Sequence, residues 1–188
     1  GYIQWHRKNG FPVNSNPILN TLDTIREADS VIDLTDPECP LEPDWPAVDF
    51  IVGNPPFLGV RFLRMYLGDE YVDKLFQLYE SGVPHGADLC CHWFEKSRAM
   101  INANQAKRAG LLATQSIRGG INRRVLEQIK QTGNIFMAYS DEEWVLEGAA
   151  VRVSIVGFDD GSETQLSLND QPVSEIHTDL TTGLDLTK

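Results

Sequence analysis

Short apolar runs alternate with amphipathic segments along most of this chain, and their order constrains the fold more than any other feature. The run "VDFIVG", Val48 to Gly53, is short and mostly apolar, which is typical of an inner strand of a parallel sheet. The predicted strands are 30–34, 48–53, 109–116, 134–140 and 150–158, and the predicted helices are 60–81 with a break at Gly68, 87–104 and 122–132. This order predicts an α/β protein with a parallel sheet.

The two ends of the chain follow other patterns. Residues 1–10 are predicted to be the end of a helix that closes at Asn9-Gly10. The run 150–158 alternates in part, which suits a sheet edge or an antiparallel partner. The remaining residues are polar and turn-rich, and a β hairpin is predicted there with Asn169-Asp170 in its turn.

The strand 48–53 leads directly into Asn54-Pro55-Pro56-Phe57, a position where α/β sheets bind ligands. The Asn54 amide oxygen and the Pro55 carbonyl are both hydrogen-bond acceptors, and the prolines fix the backbone that holds them. Two fixed acceptors suit a planar amino group, and Phe57 offers a flat face for stacking. The turn therefore favours a flat heterocycle with an exocyclic NH₂. Taken alone, it is equally compatible with a proline-stiffened loop whose Phe57 lies in the core.

The charge of the chain limits any role in nucleic-acid binding. The net charge is −11, the wrong sign for a protein that binds phosphates over its whole surface. Such a site must be local or must depend on another part of the protein. The candidate is Arg118, Arg123 and Arg124 around Gly119-Gly120, where phosphate contacts and a solvated helix start are both open interpretations.

The cysteine pattern favours a reducing compartment. Cys39, Cys90 and Cys91 do not make a disulfide framework, which favours the cytoplasm. The sequence Cys90-Cys91-His92 lacks the usual spacing of metal ligands, so we predict small buried thiols on a helix and no metal site. No run of about 18 apolar residues occurs, and no membrane span is expected.

Motif comparison connects the turn to a known family. The stretch "DFIVGNPPF" resembles motif IV of the amino-group DNA methyltransferases, (D/N/S)-P-P-(Y/F/W), and with Asn first it resembles the adenine-N6 enzymes. The flanking segments resemble, in order, those of MmeI-like type II restriction–modification proteins: "GYIQW", "ADSVI", "ADLCCHWFEKSRAMI", "KRAGLLATQSIRGGINRRVLEQI" and "WVLEGAAVRVSIVGF". The resemblance implies a partial Rossmann-like class I S-adenosylmethionine-dependent methyltransferase sheet with a C-terminal β hairpin.

The resemblance also implies catalytic roles for the turn. Asn54 and the Pro55 carbonyl would hold the N6 amino group of an adenine flipped out of double-stranded DNA, since N6 is occupied by pairing inside the duplex. Phe57 would stack on that base, and Pro56 would shape the turn.

Further roles follow from the same resemblance. Asp29, Asp88 and Leu89 would contact the cofactor S-adenosylmethionine, and Trp144 would supply a second stacking face. Each acid and the tryptophan has a structural alternative. These alternatives are a surface carboxylate for Asp29, a helix N-cap for Asp88 and a partly buried core aromatic for Trp144.

One departure from the family concerns the cofactor. The glycine-rich motif I and the motif II acid are absent, which predicts an internal fragment of a longer restriction–modification or phage-defence protein. Residues 1–158 would be the later part of the catalytic domain, and 159–188 would lead towards a target-recognition region. The partner of this fragment would be the remainder of its own polypeptide, and the fragment alone is expected to be inactive.

Two alternatives to a DNA adenine methyltransferase remain at this point. Glutamine-N5 methyltransferases that act on protein release factors use a related "NPPY" turn, because glutamine also presents a planar NH₂. Alternatively, the chain is a non-catalytic DNA-binding or structural piece that keeps the methyltransferase shape.

Overall fold

The computed structural model describes residues 8–10, 25–146 and 149–183, and within them six strands form one mixed sheet in the order β1-β2-β4-β3-β5-β6. The strands are β1 (Val48–Gly53), β2 (Ala106–Thr114), β3 (Asn134–Leu146), β4 (Ala149–Asp159), β5 (Leu166–Leu168) and β6 (Gln171–Val173). Residues 1–7 of the predicted N-terminal helix end lie outside the described residues, whereas Asn9 and Gly10 form a turn.

The directions of the strands place the ends of β1 and β2 together. β1 is parallel to β2, and β4 lies between β2 and β3 and is antiparallel to both. β1, β2 and β3 therefore run in the same direction. The antiparallel partner predicted for 150–158 is confirmed, and the alternative of a sheet edge is wrong. Because β1 and β2 end on the same side, the residues after Gly53 and Thr114 meet at one edge of the sheet.

The position of β1 differs from the prediction of an inner strand. Within the described residues it lies at the edge of the sheet and pairs only with β2. Ile51 packs against the core, whereas Phe50 and Val52 on the opposite face are 65% and 84% exposed. Apolar residues on both faces predict burial of both faces, but they do not specify what covers them. The described part of the chain covers only one face.

The strand predicted for 30–34 is absent, and only Asp33 forms a single bridge, with Leu41. The reason is local competition for backbone hydrogen bonds. The Asp29 carboxylate accepts from the amides of Val31 and Ile32, at 2.9 Å and 3.2 Å. A side chain that takes these amides offers the backbone an alternative to a ladder.

Between residues 25 and 146, four described helices accompany the sheet. They are α1 (Val60–Leu67), α2 (Asp69–Leu78), α3 (Cys91–Asn102) and α4 (Arg123–Thr132), with a 3₁₀ turn at Gln115–Arg118. The break predicted at Gly68 is confirmed, and Gly68 adopts φ 84° and ψ 158°, a region essentially restricted to glycine. α3 begins at Cys91, later than the predicted residue 87, and the Leu89 amide before it donates to the Leu58 carbonyl.

The core lies between the sheet and helices α3 and α4. Phe94 of α3 stacks on Phe158 of β4 with 6.0 Å between ring centroids, and both are fully buried. α4 buries Val125, Leu126 and Ile129 at helical spacing. Each such side chain contributes roughly 1.5–3 kcal/mol when fully buried, so this packing fixes the start of α4 beside the sheet edge.

The cysteine–histidine stretch belongs to this core. Cys90 and Cys91 are both buried, as predicted, but only Cys91 lies on the helix, whose first residue it is, and Cys90 directly precedes it. The neighbouring Cys90 and burial raise the pKa of the Cys91 thiol, and burial lowers the pKa of His92 to about 4. In the described part of the chain, no group of three or more His, Cys, Asp or Glu could hold a metal ion. Nor is any described helix long and apolar enough to cross a membrane.

Beyond β4 the chain forms a short antiparallel pair. β5 and β6 pair across Asn169 and Asp170, which both have positive φ, 51° and 62°. Two such residues suit a two-residue turn whose twist matches its strands. β5 also pairs in parallel with β3, so the pair extends the sheet at its far edge.

Candidate active site

The turn Asn54-Pro55-Pro56-Phe57 leaves β1 at the carboxyl edge of the sheet. Asn54 and Pro56 are exposed, Pro55 is buried and Phe57 is half-buried. Neither the Asn54 side chain nor the Pro55 carbonyl has a hydrogen-bond partner among the described residues. Both acceptors are therefore unpaired within the described residues, on a backbone that the prolines fix.

The exit of the turn is joined to the segment before α3 by two hydrogen bonds. The Leu89 amide donates to the Leu58 carbonyl at 3.0 Å, and the Val60 amide donates to Asp88 Oδ1 at 3.0 Å. Gly59 lies so close that an added Cβ would be 3.5 Å from Asp88 Oδ1. Asp88 and Leu89 thus hold the turn from its far side.

Asn122 holds Asp88 in turn, a role that was not predicted from the sequence. Its Oδ1 accepts from the Asp88 amide at 2.8 Å, and its Nδ2 donates to Asp88 Oδ2 at 2.7 Å. Ser116 also donates to Asp88 Oδ2, at 2.8 Å. Asn122 is only 7% exposed. The signal in the sequence was an asparagine directly before a helix, which by itself indicates only a cap.

Asp88 is not the N-cap of α3, so this alternative is wrong. The residue at the N-terminus of α3 makes no side-chain capping hydrogen bond, and the Asp88 carboxylate accepts instead from Val60, Ser116 and Asn122. These bonds join three segments that follow β1, β2 and the Gly119-Gly120 loop. The carboxylate therefore organises the sheet edge.

A wide cleft of about 1630 Å³ opens beside this network. It brings together Asp88, Arg118, Arg123 and Arg124 from the predicted set, and adds Arg61 from the first turn of α1. The four residues of the turn, Asn54 to Phe57, do not line this cleft. They lead into it, because Gly59 and Val60 form part of its wall.

The arginines of the cleft differ in their partners. Arg118 donates through Nε to the Asp179 carbonyl at 3.0 Å, and Arg123 donates through Nε to Thr178 Oγ1 at 2.7 Å. Arg124 pairs with Glu127 at 2.9 Å, and its side chain is 66% exposed. Arg61 is exposed and has no hydrogen bond or ion pair with any described residue.

The remaining predicted residues lie outside this cleft. Asp29 is exposed, and its Oδ2 accepts from the Tyr71 hydroxyl at 2.7 Å. Burial and this carboxylate raise the pKa of Tyr71. Leu89 is 4% exposed and contributes backbone bonds. Trp144 lies on β3 opposite Val151, is 37% exposed and does not belong to the hydrophobic core of the described residues.

The chain is structurally similar to parts of solved restriction–modification proteins. The type IIL restriction–modification enzyme MmeI in complex with DNA matches with TM-score 0.57 and 24% identity, over 73% of this chain and 20% of that chain. A structure from a type I restriction–modification system matches with TM-score 0.42 and 14% identity, over 71% and 26% of the two chains. A modification subunit of a putative type I restriction enzyme from Vibrio vulnificus YJ016 matches with TM-score 0.32 and 19% identity, over 63% and 24%.

Sequence comparison identifies the family. No curated protein matches the chain. The family model described as the DNA-methyltransferase domain of MmeI matches residues 11–169, which is most of the chain. The chain spans about a fifth of the MmeI chain to which it is structurally similar. The chain therefore belongs to the MmeI DNA-methyltransferase domain family.

Proposed function

We propose that this chain forms part of a methyltransferase that transfers a methyl group from S-adenosylmethionine to N6 of an adenine flipped out of duplex DNA. Membership of the family supports a role in DNA methylation. One observation carries the finer assignment. Asn54 Oδ1 and the Pro55 carbonyl are two acceptors with no partner among the described residues, next to the half-buried Phe57.

The chemistry follows from this pair of acceptors. Each accepts one N–H of the amino group. This arrangement favours a tetrahedral nitrogen, whose lone pair is localised on the nitrogen and not delocalised into the ring. Phe57 stacks on the base and fixes its plane. Asn54 and the Pro55 carbonyl would thus hold the amino nitrogen in place to receive a methyl group, and one of its two N–H protons would be lost in exchange.

The cofactor supplies the electrophilic methyl group when it is bound. Of the residues implied for it, Asp29 fits best. It is exposed, and its Oδ2 accepts only the Tyr71 hydroxyl, so a further N–H donor such as an adenine amino group has an acceptor. Asp88 and Leu89 already bind the exit of the turn, so they would contribute to cofactor binding by positioning the turn.

The biological setting is part of the proposal. Residues 1–158 would belong to the catalytic domain and 159–188 would lead to a target-recognition region of a longer restriction–modification or phage-defence protein. The structural neighbour MmeI is described as a type IIL restriction–modification enzyme, which supports this setting.

The test is Asn54→Ala in the full-length protein. We expect the methylation rate to fall at least about a hundredfold, as when one preorganised polar group is removed from an active site, while DNA binding persists. Asn102→Ala is the control, because Asn102 is exposed at the far end of α3. Mass spectrometry of digested DNA identifies the product. Methylation of cytosine N4, or of a Gly-Gly-Gln peptide instead of DNA, would contradict the assignment, and unchanged methylation in Asn54→Ala would support a structural role.

A further inference from the structure

The four arginines of the cleft divide into two pairs by what they already bind. Arg118 uses Nε on the Asp179 carbonyl and Nη1 on the Ser140 carbonyl, at 3.0 Å and 3.4 Å. Arg123 is 8% exposed and bonds Thr178. Both arginines therefore attach the segment around residue 179 to the sheet edge, and their main contribution is structural.

Arg61 and Arg124 have the opposite character. Arg61 is exposed and has no partner within the described residues. Arg124 donates to Glu127 through Nη1 only, which leaves most of its guanidinium donors open to solvent. An arginine presents five N–H donors in a planar fork, so both residues retain donors for an incoming anion.

The local charge of the cleft favours binding of an anion, although the net charge of the chain opposes it. Its acids are engaged internally: Asp88 accepts three hydrogen bonds, Glu127 pairs with Arg123 and Arg124, and Asp179 Oδ1 accepts from Thr181. Elsewhere the chain carries the excess of acids that gives its net charge of −11. The four arginines of the cleft outnumber its three acids, so the cleft is a more favourable surface for a phosphodiester backbone than the chain as a whole.

We propose that Arg61 and Arg124 bind backbone phosphates of the DNA strand that carries the target base. Arg61 follows Asn54 by seven residues and stands on the first turn of α1, whereas Arg124 stands on the first turn of α4, so the pair lies on two walls of one cleft. Phosphate contacts of this kind fix the position of the DNA without reading its sequence. The inference rests on the proposed function, since it names the residues that hold the substrate of that site.

The experiment measures binding of the full-length protein to a target duplex across a range of salt concentrations. Each phosphate contact contributes about 0.9 to the slope of log K against log[salt], so Arg61→Gln and Arg124→Gln should each reduce the slope by about one, and the double variant by about two. Binding should weaken about equally for target and unrelated duplexes. Arg61→Lys, which keeps the charge, should retain the slope.

Arg64→Gln is the matched control. Arg64 lies on the same helix, pairs with Asp69 and Asp73, and does not line the cleft. Its substitution should leave the slope unchanged. Since Arg61 is exposed and its guanidinium makes no hydrogen bond or ion pair with a described residue, Arg61→Gln should also melt at the wild-type temperature.

Two results would overturn the inference, and they differ in what else they overturn. If the double variant keeps the wild-type slope and KM for DNA while adenine methylation continues, the inference fails and the proposed function stands. If the wild-type protein neither binds nor methylates duplex DNA, both fail together.

Discussion

Asn122 joins three segments of the site through the hydrogen bonds of one amide group. It accepts from the Asp88 amide and donates to the Asp88 carboxylate and to Ser116 Oγ, at 2.8 Å, 2.7 Å and 3.1 Å. Asn122→Ala would leave the Asp88 amide without its partner, at a cost of about 1–3 kcal/mol. The turn would lose its support through Val60, so we expect the methylation rate of the full-length protein to fall more than its affinity for DNA.

The charged analogue gives this prediction a pH signature. In Asn122→Asp, two carboxylates would face each other at the site of a present hydrogen bond, and like charge raises the pKa of such a pair. The folded pair would bind a proton more tightly than the unfolded chain, so stability and activity should recover as the pH falls towards the raised pKa.

Ser116→Ala should reduce the methylation rate less than Asn122→Ala, because Asp88 keeps its bonds to Asn122 and Val60. Wild-type rates in Asn122→Ala would exclude a positioning role.

The turn at Asn54 and the residue Asn122 differ in how far their roles can be predicted from the sequence. "NPPF" after an apolar strand carries its own chemistry, so the turn could be recognised without coordinates. The role of Asn122 depends on Asp88, which lies 34 residues earlier. Local spacing therefore indicates a cap, and only the tertiary contact shows a different partner.

Gly68 governs the angle between two elements, α1 and α2. Its φ of 84° and ψ of 158° are accessible to glycine alone, although an added Cβ would meet no atom within 4 Å. The cost of Gly68→Ala therefore comes from the backbone and should be about 1–3 kcal/mol. Since α1 continues directly from the turn, reorientation of α1 would also displace Arg61. Denaturant titration of the chain measures the loss of stability.

Gly110→Ala is the control for Gly68→Ala. Gly110 lies inside β2 with no atom within 4 Å of an added Cβ, and its φ is not positive. Alanine there should change the free energy of unfolding by less than about 1 kcal/mol. An equal loss in both variants would show that the φ of Gly68 is not the cause.

Elements were predictable where their signal is local. Gly68 marks a helix end by its positive φ, and periodicity located β2, α4 and β4 within a few residues. The wrong predictions concerned features set by side-chain competition for backbone amides or by pairing with neighbouring strands. The Asp29 carboxylate took the amides of a predicted strand at 30–34, and the position of β1 in the sheet is set by pairing, which periodicity does not encode.

The whole molecule combines two opposing surface properties. β1 presents Val48, Phe50 and Val52 on one exposed apolar face along the edge of the described sheet, which is a template for association. The net charge of −11 opposes close approach of two copies. Salt shortens the screening length from about 10 Å at 0.1 M to about 3 Å at 1 M, which weakens the repulsion and leaves the apolar face unchanged.

We therefore predict that the 188-residue chain expressed alone self-associates, and that association increases with salt. The double substitution Phe50→Lys and Val52→Lys places two charges on the exposed face and should keep the chain monomeric in light scattering at all salt concentrations. Val145→Lys is the matched control, because Val145 is 73% exposed on β3 and lies away from β1 in the strand order. Its association should follow the wild type. A chain that stays monomeric at high salt, or a control that abolishes association as fully as the double variant, would show that the face of β1 is not the adhesive surface.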